Sequence, residues 1–210
     1  IAAKQFRMTD RALYSIIDYY TREAGVRRLE RNLAAVLRKA AKCLVEDGKD
    51  KVSVNDKNLT DFLGVHKFKI EKPESQNQVG LVNGLAWTSV GGETLPIEIC
   101  LMEGSGKLEL TGSLGDVMKE SARTAISCVR SRANSLGIAP DFYKNKDLHL
   151  HAPEGAVPKD GPSAGITMAT AIVSALTDIP VRQDVAMTGE ITLRGRVLPI
   201  GGLREKSKIG

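Results

Sequence analysis

The 210-residue sequence is poor in aromatics, at 4 %, and holds one tryptophan, Trp87. No apolar run approaches the length of a membrane-spanning helix, no signal peptide opens the chain and no tract is of low complexity. A membrane-embedded chain and a secretory precursor are therefore not expected. Cysteine is scarce. Cys43, Cys100 and Cys128 are odd in number, widely spaced and never in a C-x-x-C pair. That argues against a disulfide framework or a zinc site and for a reducing compartment. No Gly-x-x-x-x-Gly-Lys-Ser/Thr phosphate loop occurs, so this chain alone is not expected to hydrolyse a nucleoside triphosphate. Histidine is limited to His66, His149 and His151.

Apolar residues make up 42 % of the chain, enough for a sizeable core. The net charge of +5 is unevenly placed: residues 1–72 hold 16 Lys+Arg against 10 Asp+Glu, and the remainder holds 14 against 15. A basic first third can mark a DNA- or RNA-binding face. It has no basic cluster interleaved with aromatics, so a solvated helical surface is the favoured reading.

Residues 1–65 read as a small all-α bundle. Thr9 is placed to cap a helix carrying Leu13, Ile16, Ile17 and Tyr20, with Gly25 as its interruption. A second helix carries Leu29, Leu33, Val36, Leu37, Ala40 and Leu44; Val52–Val54 reads as a short strand and Leu59–Leu63 as a small helix. Residues 66–78 are polar and charged and read as a linker. From residue 79 the pattern becomes mixed α/β. Leu95, Ile97, Ile99 and Leu101 alternate, with hairpin-like turns expected at Gly91-Gly92 and Gly104–Gly106. Trp87 suits either a core or the flank of a groove, and the core is favoured. A long helix is expected from Gly115 to Gly137, with Met118, Ala122, Ala125, Val129, Ala133 and Leu136 as its stripe. The fold class is therefore α+β: a helical bundle over 1–65, then a mixed α/β domain over 79–210.

The chain is organised around Pro158-Lys159-Asp160-Gly161-Pro162-Ser163-Ala164-Gly165. It follows an alternating strand, Leu148–His151, and opens a helix whose apolar residues include Ile166, Ala169, Val173 and Leu176. Ser163 then sits at a helix N-terminus, where free backbone N–H groups and the dipole favour negative charge. Three readings are open: a helix cap, an anion cradle, or a nucleophile in a G-x-S-x-G turn. A serine nucleophile needs a base. No histidine follows Ser163, which counts against an α/β-hydrolase; lysines do follow, at Lys206 and Lys208, and Ser-Lys pairs exist. His149 or His151 is a rival base. The same two histidines, with Glu154 or Asp160, are a weak candidate for a metal site, and no metal is expected.

Three blocks, Pro158–Gly165, Met187-Thr188-Gly189-Glu190 and Leu198-Pro-Ile-Gly-Gly-Leu-Arg-Glu-Lys206, resemble the proteolytic domain of the Lon family of ATP-dependent serine proteases. They stand in the family's order, with 43 residues from Ser163 to Lys206. The resemblance implies a Ser163–Lys206 dyad working through an acyl-enzyme. It implies that Thr188 orients Lys206 and that Asp160 shapes the loop; Glu190 stands in the second block without an assigned role. Lys159 and Lys208 are expected to be ordinary solvated lysines. Gly25-Val-Arg27-Arg-Leu-Glu-Arg31 resembles the lid of a AAA+ ATPase, with Arg27 reaching ATP phosphates. The resemblance further implies ATP and Mg²⁺ in the full-length protein, unfolded or regulatory proteins as substrates, a homohexameric ring, and a bacterial cytoplasm or a mitochondrial matrix. The family continues past Lys206 with an apolar helix, whereas Ser207–Gly210 ends this chain, which reads as a truncation or an omitted segment. Two other classes stay open: a non-catalytic Lon-fold binding or oligomerisation platform, and a small-molecule kinase using the glycine-rich turn for phosphate.

Overall fold

The computed structural model describes every residue except 1, 3, 69–75, 89–90, 154, 156 and 208–210. The chain forms two compact units, Ile1–Lys72 and Pro73–Gly210.

In the first unit, β1 (Phe6–Met8) leads into α1 (Asp10–Tyr20), α2 (Arg27–Val45), β2 (Val52–Val54) and α3 (Leu59–Leu63). Thr9 caps α1 as expected, its hydroxyl accepting from the Ala12 N–H at 3.2 Å. α1 stops at Tyr20, short of Gly25. The Tyr20 hydroxyl donates to the Gly64 carbonyl at 2.7 Å. β2 pairs in parallel with β1, a strand the helical reading missed because three residues carry too little periodicity. Ala12, Ile16, Tyr20, Val36, Ala40, Val54 and Leu59 close one core. Ile17 and Leu37, expected inside, are exposed. His66, placed in the linker, stacks on Tyr19 with ring centroids 4.2 Å apart. Most of the remaining linker lies outside the described residues.

The second unit is a five-stranded mixed sheet with helices on one face. In chain order it contains β3 (Leu81–Thr88), β4 (Gly91–Glu103), β5 (Leu108–Thr111), α4 (Asp116–Ser131), α5 (Phe142–Asn145), β6 (Lys146–His151), α6 (Gly165–Thr177), β7 (Ala186–Met187), β8 (Glu190–Ile191), β9 (Val197–Leu198) and α7 (Leu203–Lys206). The sheet order is β5-β6-β4-β3-β7, and β8 and β9 form a separate hairpin. Ile97, Ile99, Leu148 and Leu150 project from one face into the core shared with α4 and α6. Glu98, Cys100, His149 and His151 alternate to the other. α6 is buried on nearly every side, and its polar residues are satisfied: Ser174 accepts from the Gly80 N–H at 3.0 Å and Thr167 donates to the Met187 carbonyl at 3.2 Å.

Three local expectations are corrected. The β3–β4 pairing runs from Leu81↔Glu98 to Thr88↔Gly91, so Gly91 and Gly92 belong to the strand and not to its turn. The turn at Gly104–Gly106 does not make a hairpin, because β6 inserts between β4 and β5. It is held instead by one Asp147 carboxylate oxygen, which accepts the N–H groups of Ser105, Gly106 and Lys107 at 2.7–2.8 Å. The long helix ends at Ser131, six residues early; a short 3₁₀ turn, Asn134–Leu136, carries the stripe on to a left-handed Gly137.

Leu150 is fully buried in β6, between β4 and β5. Leu150→Ala is expected to cost about 2–5 kcal/mol in urea unfolding. Leu193→Ala, at a side chain 61 % exposed, should change stability by about 0.5 kcal/mol or less.

Candidate active site

Pro162 opens a 3₁₀ turn, Pro162–Ala164, that runs directly into α6. Gly161 before it has φ +117°, a conformation that favours glycine. This puts Ser163 at the entry to a buried helix, as the sequence indicates. The loop ahead of it is tied to the start of α4. The Gly115 N–H donates to the Lys159 carbonyl at 2.7 Å and the Lys159 N–H to the Ser113 carbonyl at 3.0 Å. Asp160 accepts from the Met118 N–H at 3.0 Å and from its neighbour Gly161 at 2.8 Å. A Cβ on Gly115 would fall 2.3 Å from the Asp160 carboxyl carbon, so glycine is what permits this approach.

On the far side, Gly202 with φ +70° turns the chain from β9 into α7, and Lys206 comes back toward the loop. Its Nζ lies 2.9 Å from Ser163 Oγ and 3.4 Å from Thr188 Oγ1. Thr188 in turn donates to the Ser163 carbonyl at 3.2 Å. Lys206 is only 6 % exposed. Desolvation disfavours its ammonium form and pushes its pKa below the ordinary lysine value.

Ser163 and Lys206 line a cavity of about 370 Å³, walled by Leu85, Trp87, Leu95, Met118, Val157 and Pro158. Trp87 is 60 % exposed and flanks this cavity, so the core placement is corrected: the indole lies on the groove side of β3. Lys159 is corrected too. Its ammonium donates to the carbonyls of Gly112 and Val157 at 3.3 and 3.2 Å and is part of the loop's scaffold. Lys208 lies outside the described residues.

The two histidines do not converge here. His149 Nε2 and His151 Nδ1 lie 2.8 and 2.7 Å from Thr111 Oγ1, and both rings line a different cavity with Gln78, Glu98 and Cys100. Among the described residues no three His, Cys, Asp or Glu side chains form a metal-holding group. Glu154 lies outside them. Arg27 is exposed at the first turn of α2 in the other unit.

Sequence reasoning missed two supporting residues. Ser121, buried in α4, donates to the Pro162 carbonyl at 3.3 Å. The Gly189 N–H donates to the Ser163 carbonyl at 2.7 Å while its carbonyl accepts from Ile166 at 3.1 Å. The only available cue for Ser121 is a hydroxyl within the apolar stripe of α4.

Residues 53–208 match the family model of the Lon protease (S16) C-terminal proteolytic domain, and residues 1–53 match that of the Lon protease AAA+ ATPase lid domain. The chain belongs to the Lon protease family. It is 62 % identical over 201 residues to Lon protease 1 of Bacillus subtilis (strain 168), covering 96 % of this chain and 26 % of that protein. It is 61 % identical over 208 residues to the Lon protease of Nitratidesulfovibrio vulgaris, covering 98 % and 25 %. It is 58 % identical over 203 residues to that of Brucella abortus (strain 2308), covering 97 % and 25 %. The chain thus spans about a quarter of the length of the curated relatives it matches. The lid match ends inside β2, whereas Val54, Leu59 and Phe62 still pack in the core of the first unit. Among the described residues no helix is long and apolar enough to cross a membrane.

Proposed function

We propose that this Lon-family chain carries a peptide-bond-cleaving site in which Ser163 is the nucleophile and Lys206 its general base. The carrying observation is the 2.9 Å approach of a buried, desolvated lysine amine to Ser163 Oγ. Neutral Lys206 takes the Ser163 proton as Oγ bonds to the substrate carbonyl carbon. Backbone N–H groups at the loop–helix junction around Ser163 hold the resulting oxyanion. Collapse breaks the C–N bond, Lys206 returns the proton to the leaving amine, and an ester to Ser163 remains. Water then attacks this ester and gives its proton to Lys206; the C–Oγ bond breaks, Lys206 returns that proton to Ser163 Oγ, and the acid product leaves. Thr188 holds the amine in line and Asp160 shapes the loop. A non-catalytic platform would gain nothing from burying an ammonium beside a serine, which is costly.

Substrate binds as an added strand. The pairing of β7 with β3 stops at Gly84, and Leu85–Trp87 continue beyond it along the cavity wall.

For the whole protein the reading extends to an ATP-dependent endopeptidase that degrades unfolded and regulatory proteins in quality control and stress response. It extends equally to a homohexameric ring in a bacterial cytoplasm, to residues 1–65 as the lid and to 79–210 as the protease domain. Arg27 is the lid residue facing nucleotide. One exposed guanidinium without a phosphate loop is not a nucleotide site, so no step here passes through ATP or Mg²⁺. DNA contact has only the basic first third in its favour.

A peptidyl boronate or fluorophosphonate should form an adduct on Ser163, seen by intact mass and peptide mapping, and Ser163→Ala should abolish it. Labelling that survives this substitution, or none in the parent protein, would overturn the assignment.

A further inference from the structure

The segment joining the two halves of the site is the β8–β9 hairpin. Its first end, Thr188–Glu190, holds the Ser163 and Ile166 backbone. Its second end runs through Leu198 and Pro199 to Gly202 and α7, which carries Lys206. Fixing this hairpin helps to fix the distance between serine and lysine, together with the packing of α7 on β3 and β4.

The tip of the hairpin is gripped from α4's C-terminus. Arg132, half-buried, donates to the Leu193 carbonyl at 3.3 Å and also to the Arg194 carbonyl. The guanidinium is itself positioned by Cys128 Sγ and Ser131 Oγ, both at 3.3 Å. Two further features fit this grip. Gly195 has φ +73°, and a Cβ there would lie 2.8 Å from the guanidinium carbon. A Cβ on Gly189 would lie 2.4 Å from Val197 Cγ1, so the hairpin is closed tightly at its base as well. A planar fork can serve two neighbouring carbonyls at once, which a lysine ammonium on a flexible stem does less well.

We infer that Arg132 is a positioning residue for the Ser163–Lys206 pair, acting through the β8–β9 hairpin and touching neither substrate nor the reacting atoms. The inference rests on the dyad reading given above. Loosening the hairpin lets α7 and Thr188 drift from Ser163 and admits water to Lys206. Small misplacements of this kind carry large rate costs.

The test is the rate of Ser163 acylation by a peptidyl p-nitrophenyl ester, read as nitrophenolate release across a pH series, for the parent, Arg132→Ala, Arg132→Lys and Ser163→Ala, with thermal unfolding alongside. Arg132→Ala is expected to slow acylation roughly tenfold or more, with Arg132→Lys between it and the parent. The acid limb of the pH profile should move upward as Lys206 returns toward ordinary lysine behaviour. Glu93, Lys159 and Asp160, which line the same cavity, are unchanged in these variants. If Arg132→Ala only lowers the unfolding temperature and keeps the parent's rate and limb, Arg132 is structural and the inference falls while the dyad stands. If Arg132→Ala does not fold, Arg132→Lys decides by the same two readouts. A parent protein that is not acylated, or a Ser163→Ala variant that is, overturns the dyad reading and the inference with it.

Discussion

Lys206→Met should lower peptide-bond cleavage about 10²–10⁴-fold and leave the protein at least as stable as the parent. Both halves come from the same burial. A lysine 6 % exposed beside a hydroxyl cannot easily keep its ammonium hydrated, so its pKa is held below the ordinary lysine value. That depression suits it to the base role proposed for it and also makes it a cost to folding. Between its lowered pKa and the unfolded value of 10.5, the unfolded chain binds more protons than the folded one. Stability therefore rises with pH through that window, and below it the full cost of the buried ammonium is present. The methionine variant loses this dependence. Lys206→Arg should be as inactive as the methionine variant, since a guanidinium stays protonated. Urea unfolding at several pH values, together with cleavage rates, checks both claims. A Lys206→Met variant within tenfold of the parent rate would remove lysine from the mechanism.

A second large loss is expected from Gly92→Ala. Gly92 lies near the start of β4, directly against α7. A Cβ there would fall 2.5 Å from the Glu205 carbonyl oxygen and 2.9 Å from that of Lys206. Both are backbone atoms, so the helix turn itself has to move. A shift of about 1 Å in the base costs on the order of 10²-fold in rate. Little apolar area is lost, so the unfolding temperature should change far less than the rate does. Gly91→Ala is the control. Its φ of +130° makes alanine strained there, but nothing lies within 4 Å of the added carbon. It should lose some stability and keep most activity. Equal rate losses in the two variants would show that strand strain, and not displacement of α7, is responsible.

The helices and long strands were legible because their apolar residues recur over two or more turns or alternations, as in α2, α4 and β4. Ser163, Lys206 and Thr188 were legible as three blocks in register, and the structure brings them within 3.4 Å of one another. What escaped was set by tertiary pairing. Trp87 follows an apolar run and reads as core, yet it sits where β3 passes the open cavity. Gly104–Gly106 looks like a hairpin because turn chemistry is local, whereas the partner of β5 comes from β6. Lys159 looks solvated because carbonyl partners leave no mark in sequence. Gly92, Gly189 and Ser121 support the site through close backbone approach and single hydrogen bonds, which have no period at all.

The position of β6 also bears on how the chain reaches this structure. It lies between β4 and β5 in the sheet but follows both in the chain. While a nascent chain emerges from the ribosome, β4 therefore presents an unpaired edge until residues 146–151 arrive, and β7 arrives later still. Such non-local closure favours folding on the order of milliseconds to seconds rather than microseconds. In that interval the edge of β4 stands unpaired, and the nascent chain is itself the kind of exposed, sticky polypeptide that invites aggregation.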